Sequence, residues 1–202
     1  MLPGARPGAS LSVATRLTVS GPRATTADTP IGRLTIVTIE LAVVATQFDE
    51  EDAAAELERL EYRLGAGIRS APRELGRVRR EVDAYFAGKR RSFATPVDLR
   101  LAGEGFARRV LEVTTRIPFG ELWTYGDVAG AAGSQRAGRA AGNALSRCPI
   151  ELFVPCHRVV HADGGIGGYG RHEERKRWLL RHEGHPERRP TRSDVSPWDA
   201  RR

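Results

Sequence analysis

Val154-Pro155-Cys156-His157-Arg158-Val159-Val160, VPCHRVV, sets a thiol and an imidazole side by side inside an apolar stretch. The chain has 202 residues and only two cysteines, Cys148 and Cys156. The thiol is therefore either a small buried hydrophobe in a strand or the group the fold exists to present. Three features favour the second. Pro155 fixes the backbone before the thiol, His157 follows as a basic neighbour, and Arg136, Arg139 and Arg158 are cations expected to favour a thiolate. A Cys–His nucleophile calls for a carboxylate to orient the imidazole, and Glu183, in RHEGH, is the acid nominated. The surrounding segment, IELFVPCHRVVHADGG (150–165), reads as extended and apolar, followed by the glycine-rich loop GGIGGYG (164–170) and a closing helix, HEERKRWLLRHEG, ended by Gly184.

Upstream, TYGDVAGAAG (124–133) and SQRAGRAAGNALSR (134–147) read as two short helices joined at Gly133, with Thr124 and Ser134 as N-caps, the outline of a helix-turn-helix. The second helix is almost bare. Ala137, Gly138, Ala140, Ala141, Gly142 and Ala144 surround Arg139, although each Gly costs about 1 kcal/mol relative to Ala. Close helix packing is one explanation. The other is a smooth backbone entering a narrow groove of DNA, with Arg139 projecting into the base stack. A major-groove reader needs Asn, Gln, Arg or Lys at several facing positions, so this helix is suited to holding any sequence.

The first half is different in kind. TPIGRLTIVTIE (29–40) and LAVVATQF (41–48) predict two paired strands, DEEDAAAELERLEYRL (49–64) a helix, and PRELGRVRREVDAYFAG (72–88) a second helix starting at Pro72. FATPVDLR (93–100) is a short extended segment leading into a linker near 98–104. GEGFARRVLEVTTRI (103–117) is a helix with Phe106, Val110, Leu111 and Val113 on one side, stopped by Pro118. Residues 1–27 and 186–202 lack apolar periodicity and are expected to be a disordered tail and a flexible tail; the first also fits a start codon placed too far upstream.

No apolar run approaches the roughly 20 residues that span a membrane, and no secretory h-region opens the chain, so a cytoplasmic protein with no membrane partner is expected. Two cysteines cannot supply a disulfide framework or a four-ligand zinc site, and His157, His161, His172, His182 and His185 lack HExxH spacing. No metal and no cofactor are expected. The net charge of +7 favours a polyanionic partner. Lys89 and Lys176 are the only lysines among 32 basic residues, so GC-rich codon usage accounts for part of the charge, and charge alone favours DNA binding only modestly.

PCHRVV, preceded by TYGDVA and AGRAAGNAL and followed by GGYG and KRWLLRHEG, resembles the DNA alkyltransferases that repair O6-alkylguanine, the methylated-DNA–protein-cysteine methyltransferases. TPIGRLTIV and VDAYFAGKRRSF are similar to the amino-terminal domain of that family. The resemblance implies an α/β protein: a small ribonuclease-like domain at 28–98, then a winged-helix-like DNA-binding domain with the helix-turn-helix at 103–185. It implies that Cys156 accepts the alkyl group once and irreversibly. His157 activates it through a water, Glu183 orients His157, and Tyr125 presses on the phosphate beside the target and helps protonate the leaving base. Arg139, with Ala137 and Gly142 on the same helix, contacts DNA and fills the space left by the flipped guanine. Tyr169, Val159 and Cys148 border the base pocket. The implied partner is double-stranded DNA carrying alkylated bases, bound by a monomer, with O4-alkylthymine as a second candidate substrate.

Two positions depart from the family pattern. Cys148 stands in RCP where Asn is usual, and Glu151 where Pro is expected. A thiol holds a turn only weakly by hydrogen bonds, so a less stable hinge or slower reaction is expected. An extended segment between Cys148 and Cys156 is expected to hold the two thiols far apart. Three rival readings remain: an alkyltransferase-like binding module, which carries Trp at the thiol position; a sequence-specific transcription factor; and a cysteine hydrolase, for which no oxyanion loop is visible.

Overall fold

The computed structural model describes residues 21–48, 52–170 and 172–185. Strands β1 (Arg23–Thr29), β2 (Gly32–Ile39) and β3 (Ala42–Phe48) form an antiparallel meander. Helix α1 (Ala53–Leu64) follows, then β4 (Arg69–Ser70), which pairs parallel with β1 and gives the sheet order β3-β2-β1-β4. Helix α2 (Gly76–Phe86) completes the first half. The meander corrects the expected tail: residues 23–27 belong to β1, where Thr25 and Ala27 are buried. Its small polar side chains show no apolar pattern, and the strand is held by backbone pairing in register from Arg23 opposite Thr38 to Thr29 opposite Gly32. Residues 1–20 of the expected tail, and the whole of 186–202, lie outside the described residues. Helix α2 begins at Gly76, not Pro72, after a turn over 72–75.

Strand β2 is buried on both faces because two helices cover the sheet. Leu34 and Ile36 join Val78, Val82 and Tyr85 of α2 in the main core, whereas Val37 and Ile39 pack with Val44 and Leu60 of α1. The outer edge of β3 would expose unpaired backbone groups. Two segments cover it: residues 96–98, through Val43 N–H to Pro96 O (2.8 Å) and Asp98 N–H to Val43 O (2.8 Å), and residues 149–151, through Thr46 N–H to Pro149 O (2.8 Å). The second of these leads into the Cys156 segment, so the sheet edge positions it.

The second half is helical. Helix α3 (Gly105–Thr114) buries Val110, Leu111 and Val113. Helices α4 (Tyr125–Ala131) and α5 (Gly138–Leu145) form the helix-turn-helix, whose turn passes through Gly133 at φ +89°. Thr124 caps α4 through a capping box: its hydroxyl accepts from Asp127 N–H (3.0 Å), and the Asp127 carboxylate accepts from Thr124 N–H (2.8 Å). Ser134 does not cap α5. That helix starts at Gly138 after Ala137, and the Ser134 carbonyl instead accepts from Ala137 N–H. Strands β5 (Trp123–Thr124) and β6 (Val159–Val160) pair in parallel, and α6 (Glu173–His182) closes the fold. Among the described residues no helix is long and apolar enough to cross a membrane.

Candidate active site

Cys156 opens a short 3-10 helix (Cys156–Arg158), not the extended strand expected of 150–165. Before it the chain doubles back: Val154 N–H donates to Ile150 O (3.0 Å) and Phe153 N–H to Glu151 O (2.9 Å), with Leu152 at φ +72°. A bulky residue at positive φ is costly and persists only where its surroundings over-determine it. Here Ile150, Leu152, Phe153 and Val154 are all buried, so no alternation of faces distinguished strand from turn. The return path replaces the extended segment on which the expected separation of the cysteines rested. Cys148 itself is half-buried and lines a cleft of about 750 Å³ with Thr46, Arg147 and Glu151.

Behind the thiol is a buried carboxylate. Glu183 Oε1 accepts from His157 Nε2 (3.0 Å), Arg158 Nη2 (2.8 Å) and the Tyr85 hydroxyl (2.7 Å); Oε2 accepts from Arg158 Nε (2.8 Å) and Gly120 N–H (3.2 Å). Burial alone raises a carboxyl pKa, but the hydrogen bond from His157 and the ion pair with Arg158 hold Glu183 far below the usual range. Burial pulls the His157 pKa down, so the imidazole is neutral, with its Nε2 proton on Glu183. Its buried Nδ1 then carries a lone pair and has no hydrogen-bond partner among the described residues. Glu183 thus lies where the sequence nominated it, joined to His157.

The thiol is not poised as expected. Contact with Cys148 and then burial push the Cys156 pKa well up, and among the strongest influences on it the one cation is Lys176. Arg158 is committed to Glu183 and to Ile117 O (2.5 Å), while Arg136 and Arg139 are exposed. Lys176 is fully buried. Its Nζ donates to Val159 O (2.5 Å), lies 5.8 Å from the centre of the Tyr125 ring, and has its pKa drawn down to about 7 by burial. A resting protonated thiol therefore has to lose its proton as part of the reaction.

Above Cys156 is a cavity of about 100 Å³ lined by Tyr125, Gly142, Leu145, Ser146, Gly168 and Tyr169 among others. It adjoins an outer cavity of about 430 Å³ bounded by Tyr125, Gly138, Arg139, Gly142, Asn143, His161 and Gly168. The structure thus brings Cys156, Tyr125, Gly142 and Tyr169 together, with Arg139 at the mouth. Two of the expected pocket residues fall elsewhere: the Val159 side chain is in the core while its carbonyl accepts from Lys176, and Cys148 lines the 750 Å³ cleft and not the pocket; Ala137 immediately precedes α5. Tyr125 is held by Gly167, at φ +71°, where an added Cβ would come within 2.5 Å of the Tyr125 hydroxyl. Among the described residues no group of three His, Cys, Asp or Glu is placed to hold a metal ion.

Sequence reasoning missed Lys176 and Tyr85. Lys176 left one trace, a lysine kept in a chain whose cations are nearly all arginine. Tyr85 left none, because it reaches Glu183 from 98 residues away.

Comparison with known proteins agrees with this geometry. The DNA-binding domain of 6-O-methylguanine DNA methyltransferase matches residues 105–185, and its ribonuclease-like domain matches residues 23–99. The chain is 35% identical over 157 residues to the constitutive methylated-DNA–protein-cysteine methyltransferase of Bacillus subtilis, covering 77% of this chain and 92% of the relative. With the Mycolicibacterium paratuberculosis enzyme of the same name it shares 38% identity over 155 residues, covering 77% and 88%. The crystal structure of Mycobacterium tuberculosis O6-methylguanine methyltransferase superposes with a TM-score of 0.70 at 32% identity, covering 89% of this chain and 97% of that one. The Mycobacterium tuberculosis OGT complex with DNA gives 0.67, also at 32% identity, covering 87% and 94%. With both halves matched and a thiol, imidazole and carboxylate assembled beneath the helix-turn-helix, the chain belongs to the 6-O-methylguanine DNA methyltransferase family.

Proposed function

We propose that this protein repairs DNA by transferring the alkyl group of O6-alkylguanine directly to Cys156, once per molecule. The observation that carries this is the thiol at the floor of a cavity whose mouth is α5 and Arg139, with the His157–Glu183 pair buried behind it. A base inside a duplex cannot reach such a floor unless its nucleotide is flipped, at a cost of a few kcal/mol. Arg139, exposed at the rim, offsets part of that cost by filling the stack. The bare surface of α5 lets the backbone approach DNA, and Tyr125 presses on the phosphate beside the target.

Within the pocket the unpartnered Nδ1 of His157 takes the thiol proton through a water, and the resulting imidazolium is stabilised by Glu183. The sulfur attacks the alkyl carbon, the S–C bond forming as the C–O6 bond breaks. The guanine leaves with the electron pair and is protonated with help from Tyr125, while Tyr169 borders the base. The thioether has no route back, so each molecule reacts once. No cofactor enters this scheme. O4-alkylthymine offers the same kind of alkyl carbon and is the second substrate to test. The protein acts as a monomer in the cytoplasm, a setting that suits its two free thiols.

The alternative of a lesion-binding module without transfer is disfavoured by the presence of Cys156 itself. The deciding experiment incubates the full chain with a duplex oligonucleotide carrying O6-methylguanine and measures intact mass. A single added methyl group, absent in Cys156→Ser, is expected; an unchanged wild-type mass overturns the reading.

A further inference from the structure

The strand that follows Cys156 delivers one more side chain to the mouth of the pocket. Strands β5 and β6 pair in parallel, with Trp123 opposite Val159 and Thr124 opposite Val160. The next residues along the chain are Tyr125 and His161, and the register sets them side by side: their ring centres are 4.9 Å apart, with the planes tilted by 51°. A turn then fixes the backbone of His161. Its N–H donates to Gly165 O (2.7 Å), and its carbonyl accepts from Gly164 N–H (3.0 Å). The turn closes tightly on the imidazole, since a Cβ added at Gly165 would lie 3.4 Å from His161 Cδ2 and 3.2 Å from Asp163 Oδ1. His161 is exposed, and it bounds the outer cavity with Arg139 and Asn143, which lie one turn apart on α5. Among the described residues the imidazole, the guanidinium and the Asn143 amide have no hydrogen-bond partner. Uncommitted donors around one opening suit an acceptor that arrives with the ligand.

We propose that His161 is a DNA-contact residue, its protonated imidazole donating to the phosphate against which Tyr125 rests. The assignment rests on the reading that a nucleotide is flipped into this mouth, with Tyr125 at the neighbouring phosphate and Arg139 in the stack. A tyrosine brings no charge to offset that of a phosphate. Arg139 is directed to the stack, and Lys176 is buried with its Nζ on Val159 O. The imidazole beside the Tyr125 ring is the group left to supply the cation. The charged and titratable groups of the elements packed around it are Asp163 on its own turn, whose Oδ1 accepts from Gly165 N–H (2.9 Å), Tyr125 and Asp127 of α4, the latter engaged in the Thr124 capping box, and Arg139 of α5. Histidine is the side chain that changes charge between about pH 5 and 8, so engagement of duplex DNA weakens as pH rises through that range. A free base brings no phosphate and has no such contact to lose.

The test compares the full chain with His161→Phe, which keeps a ring against Tyr125 without a donor, and with His161→Arg, which restores a cation. Binding of a duplex carrying O6-methylguanine is measured in a Cys156→Ser background, so that no transfer intervenes. Single-turnover reaction with free O6-benzylguanine is measured with Cys156 in place. At about pH 6, His161→Phe is expected to bind the duplex about threefold to tenfold more weakly and to lose about one from the slope of log affinity against log salt. Its binding should also vary less with pH than that of wild type. His161→Arg is expected to recover affinity and salt slope without recovering the pH dependence, and the loss in His161→Phe should be smaller on the free base than on the duplex. His161→Phe with wild-type affinity and salt slope overturns the proposal, as does His161→Arg as weak as His161→Phe. Equal fold-losses on duplex and free base also overturn it, and make His161 only a brace for Tyr125. Wild type that binds the duplex but transfers no methyl group sinks the repair reading, while the same binding curves still decide the contact of His161.

Discussion

The two working regions of this molecule are built on opposite principles. Around Glu183 nearly every group is committed: Tyr85, His157, Arg158 and Gly120 all donate to one buried carboxylate, and His157 Nδ1 is left over. Around Arg139, on α5, almost nothing is committed. The helix is stripped to Ala and Gly, and the arginine is exposed at the rim of a cavity. The difference follows from where each ligand comes from. A proton acceptor must keep one geometry in a medium that punishes any unpaired charge. The surface proposed to meet DNA must leave room for phosphates and a flipped nucleotide, which bring their own charge and order.

The sharpest separation of the two regions comes from removing the thiol. Cys156→Ser is expected to abolish methyl transfer while leaving affinity for duplex DNA nearly unchanged, because binding rests on phosphate contacts at the other region. Transfer and gel-shift assays on one preparation check this, and a parallel loss of binding breaks the division.

Next in size is Glu183→Gln, which leaves the Arg158 guanidinium buried without its counter-charge and is expected to cost about 3–5 kcal/mol by urea unfolding. The pH dependence has a definite sign. Glu183 is held below its ordinary value of 4.5, so its contribution is complete above about pH 4.5 and is lost as pH falls below it. Wild type should lose stability through that range more steeply than Glu183→Gln. Parallel curves would mean that the carboxylate is not the hub.

Arg139→Ala tests the open region. It is expected to slow repair of duplex DNA by about ten- to a hundredfold, in line with a flipping cost of a few kcal/mol, with little effect on reaction with free O6-benzylguanine. Equal losses on both substrates would remove the flipping role. Tyr85→Phe is smaller: deleting one hydrogen bond to a charged group costs about 1.5–3 kcal/mol at most. Since Tyr85 belongs to the first half of the chain, a measurable loss shows that half stabilising the hub of the other.

The smallest effect concerns the junction of the two regions. Cys148→Asn replaces the thiol that most strongly raises the Cys156 pKa with an amide able to donate to sulfur. The pH midpoint of Cys156 alkylation by iodoacetamide should fall, and the single-turnover rate should rise. If neither the midpoint, the rate nor the melting temperature moves, Cys148 is only a packed residue.

How much of this was legible without coordinates follows the same division. The helix-turn-helix, its Thr124 cap and the bareness of α5 are written in neighbouring residues, where turn chemistry and spacing of three or four suffice. The Cys–His pair was plain because its members are adjacent, and Glu183 could be nominated by its type. Local text misled where pairing was non-local. β1 has no apolar pattern and exists through its register with β2, and the run from Ile150 to Val154 is apolar but for Glu151 and without alternation, so only the Val154 to Ile150 hydrogen bond and the anchorage on Thr46 show that it turns back. The sequence by itself therefore determined which groups could carry the chemistry and which helix is bare enough to be proposed for DNA contact. Tertiary structure alone decided that Tyr85 meets Glu183, that Lys176 is the cation near the thiol, and that the chain turns back between Cys148 and Cys156. Burial and distance between residues remote along the chain set those relations, and no spacing along the chain encodes them.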